Sequence, residues 1–372
     1  MDAGSPAGRL CKRRAPDSCV PAAAPRLVGG AATERRSGYI GGEQFLAVIG
    51  AGVGGLATAL ALQKAGIRAR VYERDTGFAV RRQGYGMTMS TTNSALSELG
   101  LLEELRRRDV ASQSHYTFAS DGAILGYFGN ALRDEPPPPE RGNLRVPRQT
   151  LRQMLLDRLQ PDTVVWGEQL ASFTEEPNAL SPEGGVTLCF SSGLTVSAAA
   201  LVGADGVRSV VRQQRQPPAP PLRYLGVLIV VGIVPSDHPL VVGRGFYTVD
   251  GTIRLFTMPY TLAEGEEKAT TMWQMSIAMP EVEARALCER GAAACLTLLR
   301  GRCASWHEPV PTLLRDTAAE RVWAAPLSDA QPPAAPTKGS KSVRAAALPL
   351  VATPSGAVSL LCYAYCRDMP NG

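Results

Sequence analysis

The chain has 372 residues, of which 45% are hydrophobic and 20% charged, a composition typical of a globular protein. A single core stops growing near this length, so we expect two domains. The net charge of +5 is spread along the chain without a basic stripe, which argues against nucleic-acid binding. The eight cysteines include no C-x-x-C pair and the chain has three histidines, so we predict no metal site and reduced thiols.

Both ends of the chain bear on its localisation. Residues 1–43 are rich in Ala, Gly, Pro and Arg and predict a disordered leader. Basic residues outnumber acidic ones there, so an organelle transit peptide is the alternative, while the lack of an apolar signal sequence argues against secretion. We therefore expect a cytoplasmic protein, or an organellar one if the leader directs it. Residues 345–366 are uncharged but interrupted by prolines, so no stable membrane insertion is expected.

The most informative pattern begins at residue 45. An apolar run at 45–49 leads into glycines spaced as G-x-G-x-x-G, then a helical pattern over 54–65, then a second short strand at 69–72 that delivers an acid. This order of strand, glycine turn, helix, strand and acid is typical of a dinucleotide-binding βαβ unit. The helix N-terminus would present free N–H groups and its positive dipole end to phosphates.

Each residue of this pattern has a physical role. Gly50 permits the tight turn, Gly52 lets the backbone approach a pyrophosphate, and Gly55 lets helix and strand pack closely. Glu73 lies 18 residues past Gly55, where a carboxylate accepts the hydroxyls of an adenosine ribose. Because an acid at this position repels a 2′-phosphate, the predicted nucleotide is FAD or NAD rather than NADP.

The following segments alternate between helix and strand signals. The basic, glycine-punctuated stretch 81–89 leads into a short predicted strand, and one helix is predicted through 95–105. We then predict a hairpin with strands at 114–119 and 123–128, a stiff proline loop at 136–139 and a helix from Arg148. Further predicted elements are a strand at 164–166, a hairpin over 186–196 that turns near Ser192-Gly193, and a buried strand in the run 198–206. A short helix follows from Ser209. Long β-like segments then extend from 224 to 276, with turns at Asp250-Gly251 and near Gly265, before helices at 281–290 and near Leu296.

Three landmarks occur in order along the chain. They are the glycine pattern with Glu73, then Arg148-x-x-Leu151, then Gly203-Ala204-Asp205-Gly206-x-x-Ser209-x-x-Arg212. Together they resemble the FAD-dependent aromatic-ring hydroxylase family, the single-component flavin monooxygenases that include salicylate-hydroxylase-like and zeaxanthin-epoxidase-like enzymes. The resemblance covers residues 44 to about 335.

The resemblance implies an α/β protein with a Rossmann-like FAD-binding domain and a second, sheet-rich substrate domain. It implies FAD as cofactor, NADH or NADPH as reductant, and hydroxylation or epoxidation of an aromatic or polyene small molecule with molecular oxygen. The implied cofactor-binding residues are Gly50, Gly52, Gly54, Gly55, Glu73, Arg74, Arg82, Arg148, Asp205 and Gly206. No catalytic acid or base is assigned, because the cofactor supplies the chemistry. The three histidines, His115, His238 and His307, are interpreted as surface or loop residues.

The implied domain boundaries are a leader over 1–43, the FAD-binding domain with intervening β hairpins over 44–222, the substrate domain over 223–320, and an atypical C-terminal segment over 321–372. In the second domain we expect the substrate to contact alternating apolar and aromatic side chains, which are Tyr247, Phe256, Met258, Tyr260, Trp273 and Met275. The alternative is that these side chains form the core of that domain.

Several alternatives stay open at this stage. Arg148 is also consistent with a solvated arginine at a helix start, and Asp205-Gly206 with an ordinary turn. Ala199 stands where relatives often carry Asp, and the chain lacks the Gly-Asp dipeptide that the family places after the second domain. We therefore expect the C-terminal segment to be truncated, or read from another frame or from an unspliced segment. The functional alternatives are a degenerate nucleotide-binding protein without turnover and a plain NAD dehydrogenase, which has no use for the Asp-Gly motif.

Overall fold

The computed structural model describes residues 44–80, 84–90, 94–112, 114–129, 143–178, 181–215, 221–262 and 268–330. The predictions for the leader, for the proline loop at 136–139, for the turn near Gly265 and for the chain beyond residue 330 lie outside these ranges.

The described residues form eight α-helices and sixteen strands. The helices are α1 (Val53–Lys64), α2 (Ser94–Glu98), α3 (Leu102–Arg107), α4 (Arg148–Leu156), α5 (Val210–Arg215), α6 (Glu281–Glu289), α7 (Ala292–Arg302) and α8 (Val310–Asp316). The strands are β1 (Leu46–Ile49), β2 (Ala69–Glu73), β3 (Gly86–Ser90), β4 (Ser114–Ala119), β5 (Ile124–Gly129), β6 (Asn143–Pro147), β7 (Val164–Trp166), β8 (Leu170–Asn178), β9 (Ser181–Phe190), β10 (Thr195–Ala198), β11 (Ala200–Gly203), β12 (Arg223–Pro235), β13 (Gly245–Val249), β14 (Ile253–Thr261), β15 (Thr270–Ala278) and β16 (Val322–Asp329). Along the described ranges, no helix is long and apolar enough to cross a bilayer.

A parallel sheet forms the centre of the nucleotide-binding half. Its strands run in the order β11-β1-β2-β7, and every neighbouring pair is parallel. One face, with Val48 and Val71, packs in a common core with α1 and α4, and the other, with Ala47 and Leu201, packs on the antiparallel sheet β10-β9-β8. Because both faces are covered, β1, β7 and β11 are apolar throughout, whereas β2 carries Arg70 and ends at Glu73. The predicted Rossmann-like α/β architecture is confirmed.

The carboxyl ends of these parallel strands place the sequence landmarks side by side. Gly50 follows β1, Glu73 ends β2, and Ala204 and Asp205 follow β11. In open parallel sheets, ligands bind in the crevice outside these strand ends. The topology therefore gathers residues that are up to 155 positions apart at one edge of the sheet.

A second, seven-stranded sheet has the order β16-β12-β15-β14-β13-β4-β5. All of its pairs are antiparallel except β13 with β4. One face packs on α6, α7 and α8 in the largest apolar core of the described residues. The hairpin β4–β5 thus joins this sheet although it precedes α4 in sequence, and the boundary predicted at residue 222 stays a prediction.

Three local expectations need correction. The single helix predicted through 95–105 is two helices, because Gly100 adopts φ +73° and the Leu101 N–H turns back to the Leu96 carbonyl at 2.8 Å, a helix-ending arrangement. Sequence patterns missed β8, whose end carries charged residues and a proline, and they missed the short helix α8.

Candidate nucleotide site

The turn between β1 and α1 forms a tight glycine cradle. Gly50 adopts φ +103°, which disfavours any other residue, and a Cβ there would lie 2.6 Å from the Ala204 carbonyl oxygen. A Cβ on Gly55 would lie 1.8 Å from the Gly50 carbonyl oxygen. Gly52 differs, because an added Cβ would meet only the Arg148 guanidinium, at 3.9 Å. Gly50 and Gly55 are therefore required by packing, whereas Gly52 leaves open space above the backbone.

Glu73 is fixed by main-chain hydrogen bonds. Its Oε2 accepts from the Ala51 N–H at 2.7 Å and its Oε1 from the Asp75 N–H at 3.0 Å. Each carboxylate oxygen has a second lone pair. The side chain is buried yet lines the cavity described below, so it can accept two further hydrogen bonds from a ligand.

Arg148 begins α4 and lies beside the cradle. Its backbone N–H donates to the Tyr85 carbonyl at 2.9 Å, and its guanidinium lies 5.9 Å from the centre of the Tyr85 ring. Burial raises the pKa of the Tyr85 hydroxyl, and the positive charge of Arg148 opposes that rise. Arg148 thus contributes a positive charge next to the open space above Gly52.

Arg152, one turn later on α4, is a site residue that the sequence interpretation missed. Its side chain is 3% exposed, and its Nε donates to the Ala51 carbonyl at 2.7 Å. The guanidinium also lies 4.8 Å from the centre of the Phe78 ring and 5.7 Å from that of Trp166. The spacing of four residues from Arg148 places both arginines on one helix face, and this spacing was the available signal. Arg152 ties the glycine turn to α4.

The Asp205-Gly206 motif is more than an ordinary turn. Asp205 Oδ2 accepts from the N–H groups of Val210 and Val211, at 2.7 and 3.3 Å, and so caps the start of α5. Its Oδ1 is buried and has no hydrogen-bond partner among the described residues. Gly206 adopts φ +80°. A buried acceptor without a partner is rare in proteins, and Asp205 also lines the cavity described below.

A cavity of about 790 Å³ connects this cradle to the seven-stranded sheet. Its lower wall is one face of that sheet, and we call this face the sheet floor. It is formed by alternate residues of β12, β14, β15 and β16, most of them apolar: Val227, Ile229, Val231, Arg254, Phe256, Met258, Met272, Gln274, Ser276, Trp323, Ala325 and Leu327. The cavity therefore has a charged end at the glycine turn and an apolar end at the sheet floor.

Only part of the predicted substrate surface lines the cavity. Phe256 and Met258 line the cavity. Trp273 and Met275 do not, because they point to the opposite face of the sheet and are fully buried in the core against the helices. Successive residues of a strand point to opposite faces, so the cavity is lined by their neighbours on β15 instead. Tyr247 and Tyr260 are not part of the cavity wall.

His115 lies beside Phe256 on the same face of the sheet and is buried, so its interpretation as a surface or loop residue is wrong. Its ring stacks against Phe256 with centroids 5.9 Å apart. The His115 Nε2 lies 3.1 Å from Arg145 Nη2, and because a guanidinium only donates, Nε2 accepts. Burial lowers the pKa of His115 to about 4, with a further contribution from the Arg145 charge. His115 is therefore neutral at physiological pH.

The structure brings most of the predicted cofactor-binding residues together. The cavity is lined by Gly50, Gly52, Glu73, Arg74, Arg148, Asp205 and Gly206. Gly54 and Gly55 lie in the first turn of α1 and are not part of the wall. Arg82 lies outside the described residues. The binding role of each of these residues stays a prediction.

A family model described as an FAD binding domain matches residues 44–239. The chain belongs to this FAD-binding family. An aurachin C monooxygenase/isomerase from Stigmatella aurantiaca is 27% identical over 300 residues, which cover 77% of this chain and 69% of the relative. A 3-amino-4-hydroxybenzoate 2-monooxygenase from Streptomyces platensis is 33% identical over 197 residues, which cover 52% of this chain and 46% of the relative.

Solved structures have the same fold as this chain. HpxO from Klebsiella pneumoniae, complexed with FAD and uric acid, has a TM-score of 0.65 at 22% identity, covering 81% of this chain and 72% of that one. PqsL from Pseudomonas aeruginosa, in complex with 2-aminobenzoylacetate, has a TM-score of 0.58 at 21% identity, and the match covers 77% of this chain and 74% of PqsL. At this identity the likeness shows the fold alone.

The site fits the cofactor of its family. The open space above Gly52, the free N–H groups at the start of α1 and the second lone pairs of Glu73 match a pyrophosphate and a ribose. The buried acceptor on Asp205 adds a position for a ligand hydroxyl. FAD is therefore the nucleotide that this domain binds.

Proposed function

We propose that this chain is an FAD-dependent monooxygenase that uses NADH or NADPH and molecular oxygen to hydroxylate or epoxidise a small molecule with an aromatic ring. The observation that carries the proposal is the single cavity that connects the glycine cradle to the sheet floor. A nucleotide-binding module alone needs no second, apolar chamber next to its cofactor. Pockets of this kind, mostly apolar with a few polar groups, are typical of small-molecule sites.

The chain's own residues have binding and positioning roles in this proposal. The N–H groups at the start of α1, with Arg148, would hold the pyrophosphate, and Glu73 would hold the ribose. Asp205 would accept a hydrogen bond from a cofactor hydroxyl through its Oδ1. When bound, FAD supplies the redox and oxygen chemistry. The apolar side chains of the sheet floor would orient the substrate and exclude water from the reacting atoms.

The names of the relatives support an aromatic substrate. One relative is named a 3-amino-4-hydroxybenzoate 2-monooxygenase and another an aurachin C monooxygenase/isomerase. The chain spans 46% of the first and 69% of the second, so substrate and activity come to this chain as proposals. Phe256 and Trp323 offer ring surfaces in the cavity wall, and such surfaces favour flat, aromatic ligands.

A spectroscopic experiment tests the proposed function. The full chain is incubated with FAD and gel-filtered, and the flavin absorption that stays with the protein is measured. NADH or NADPH is then added without oxygen, and the bleaching rate is followed. We expect stable flavin bands that one of the two reductants bleaches.

The outcomes separate the alternatives. Failure to retain FAD would contradict the proposed function. Retained FAD that neither NADH nor NADPH bleaches would instead indicate a nucleotide-binding protein without turnover. Bleaching followed by oxygen uptake and formation of a hydroxylated or epoxidised product would support the monooxygenase.

A further inference from the structure

Two methionines of the sheet floor lie against the nucleotide-binding half of the molecule. Met258 on β14 and Met272 on β15 are directly opposed in the strand register, and both line the cavity. The Gly86 N–H at the start of β3 donates to Met272 Sδ at 3.1 Å. A Cβ on Gly86 would lie 2.7 Å from Met258 Sδ. Both sulfurs therefore lie close to Gly86, and we call these two side chains the methionine pair.

The peptide unit between Tyr85 and Gly86 connects the methionine pair to the nucleotide site. Its N–H donates to Met272, and its carbonyl oxygen accepts from the Arg148 N–H at 2.9 Å. Arg148 begins α4, and its guanidinium lies 3.9 Å from the position of a Cβ on Gly52. One planar peptide unit thus joins a thioether on the sheet to the arginine beside the glycine cradle. A movement of this peptide changes the position of Arg148.

The thioethers of the pair can be reached by a small oxidant. Each of the two residues is 2% exposed, so an oxidant reaches the sulfur through the cavity that both residues line. Hydrogen peroxide transfers one oxygen atom to a methionine sulfur. The O–O bond breaks, an S–O bond forms, the sulfur loses two electrons and the peroxide is reduced to water. A monooxygenase that reduces oxygen without transferring it to substrate releases peroxide next to the sheet floor.

Oxidation changes the contact between the pair and Gly86. A sulfoxide is polar and larger than a thioether, and atoms of Met258 already occupy the space beside Gly86. An added oxygen that points towards Gly86 displaces the Tyr85–Gly86 peptide. An oxygen on Met272 that points into the cavity draws electron density from the sulfur that accepts from the Gly86 N–H. In both cases the peptide loses part of the support that holds it against Arg148.

We propose that the methionine pair is a peroxide-sensitive site at which sulfoxide formation lowers the affinity for FAD. Oxidation acts on Arg148 through the Tyr85–Gly86 peptide and leaves the glycine turn and Glu73 in place. A chain that produces peroxide instead of product thereby lowers its own retention of the cofactor. The source of the peroxide during turnover rests on the proposed function, whereas the site and its effect on FAD binding do not.

Peroxide treatment of the full chain without cofactor tests the inference. Hydrogen peroxide is added and then removed by gel filtration, and dithiothreitol reverses the reversible oxidation of cysteines. Mass spectrometry of tryptic peptides, with fragmentation, locates each added oxygen. One tryptic peptide, 269–285, contains both Met272 and Met275. Met275 is fully buried in the core on the opposite face of the sheet, so this peptide carries its own matched control.

Calorimetric titration with FAD measures the consequence of the oxidation. The variants are Met258→Leu, Met272→Leu and the double variant, with Met275→Leu as the control. Leucine nearly conserves the volume of methionine and has no sulfur to oxidise. Each variant is compared with its own untreated form, so that an effect of the substitution itself does not enter the result. The melting temperature is measured to show that every chain is folded.

We expect oxygen to appear at Met258 or Met272 before it appears at Met275. The Kd of the wild type for FAD should rise roughly 5- to 100-fold after treatment, because the sulfoxide overpacks the contact with Gly86. The Kd of Met275→Leu should rise to the same extent. The double variant should keep the Kd of its untreated form.

Three outcomes would overturn the inference. They are oxidation of the pair that is absent or no earlier than that of Met275, an unchanged Kd when the pair is oxidised, and an equal rise of the Kd in the double variant. In these cases an untreated chain that binds FAD leaves the proposed function standing. If the untreated wild type binds no FAD, the proposed function fails and the effect of oxidation on FAD affinity fails with it.

Discussion

Two glycine substitutions in the turn after β1 separate cofactor binding from folding. Gly52 has ordinary backbone angles, φ −73° and ψ 177°, and open space where a Cβ would be. An added Cβ on Gly55 would lie 1.8 Å from the Gly50 carbonyl oxygen, an impossible contact with main chain. We therefore expect Gly52→Ala to fold and lose FAD affinity, and Gly55→Ala to lose stability.

The magnitudes follow from the local geometry. In the chain without cofactor, Gly52→Ala should gain about 0.4–1 kcal/mol of stability because the unfolded state becomes less flexible. It should lose up to about 1 kcal/mol of stability because alanine is a poorer N-cap than glycine. The free energy of unfolding should therefore change by less than about 1 kcal/mol. In the complex, the methyl group overpacks the approach of the pyrophosphate by about 1–3 kcal/mol, which raises the Kd for FAD by about 5- to 150-fold.

Gly55→Ala provides the matched comparison within the same turn. Alanine in a helix is favoured over glycine by about 1 kcal/mol, but here β1 or α1 would have to move. The net loss of stability should exceed about 3 kcal/mol, because the opposing atom belongs to the backbone.

Urea unfolding without cofactor and calorimetric titration with FAD measure the two quantities separately. A Gly52→Ala chain that binds FAD as tightly as the wild type would refute the placement of the pyrophosphate at this turn. A Gly55→Ala chain with wild-type stability would refute the packing on which the cradle depends.

Three further predictions concern side chains around the cavity. Asp205→Asn should keep the cap of α5 but bind FAD more weakly. Asp205→Ala should bind FAD more weakly and also lose about 1 kcal/mol of stability. If calorimetry gives the same FAD affinity for both variants and the wild type, the role of Oδ1 is contradicted. Arg152→Met should lower the free energy of unfolding by about 1–3 kcal/mol, because the buried Ala51 carbonyl loses its partner, and an unchanged urea midpoint would refute this. The pKa of His115 falls from 6.5 to about 4 on folding. As the pH drops, the unfolded chain therefore binds a proton at His115 before the folded chain does, and stability is lost from pH 6.5 towards pH 4. Titration of His115 should lower the free energy of unfolding by about 2 kcal/mol between pH 7.5 and pH 5. His115→Gln should lack this loss when urea unfolding is measured at the two pH values. The same pH dependence in the variant and the wild type would refute the prediction.

Local signals explain what could be predicted from the sequence. The glycine turn, the flanking strands and Glu73 are set by neighbouring residues within a short segment, and the structure confirms this βαβ unit. The order of the landmarks also located Arg148 and Asp205, which the structure places at one cavity although they are 57 positions apart.

Other features depend on pairing between distant segments and carry no local signal. The stretch Met272–Met275 is apolar at three of four positions, so alternation alone could not show which side chains face the cavity. The helices that follow in sequence cover Trp273 and Met275, and this packing determines which side chains of β15 face the cavity. The spacing of four residues from Arg148 predicts that Arg152 shares its helix face, but spacing alone does not distinguish a buried arginine from a solvated one, and Arg152 was therefore missed.

The early hairpin Ser114–Gly129 pairs through β4 with β13, a strand that is synthesised more than a hundred residues later. The seven-stranded sheet is consequently built from stretches that are separate in the sequence. A designer who wished to graft the substrate-facing layer of a relative onto this nucleotide-binding frame would have to exchange three stretches together: residues 114–129, 223–278 and 322–329. Replacing residues 223–278 alone would leave β16 and β4 paired with mismatched neighbours.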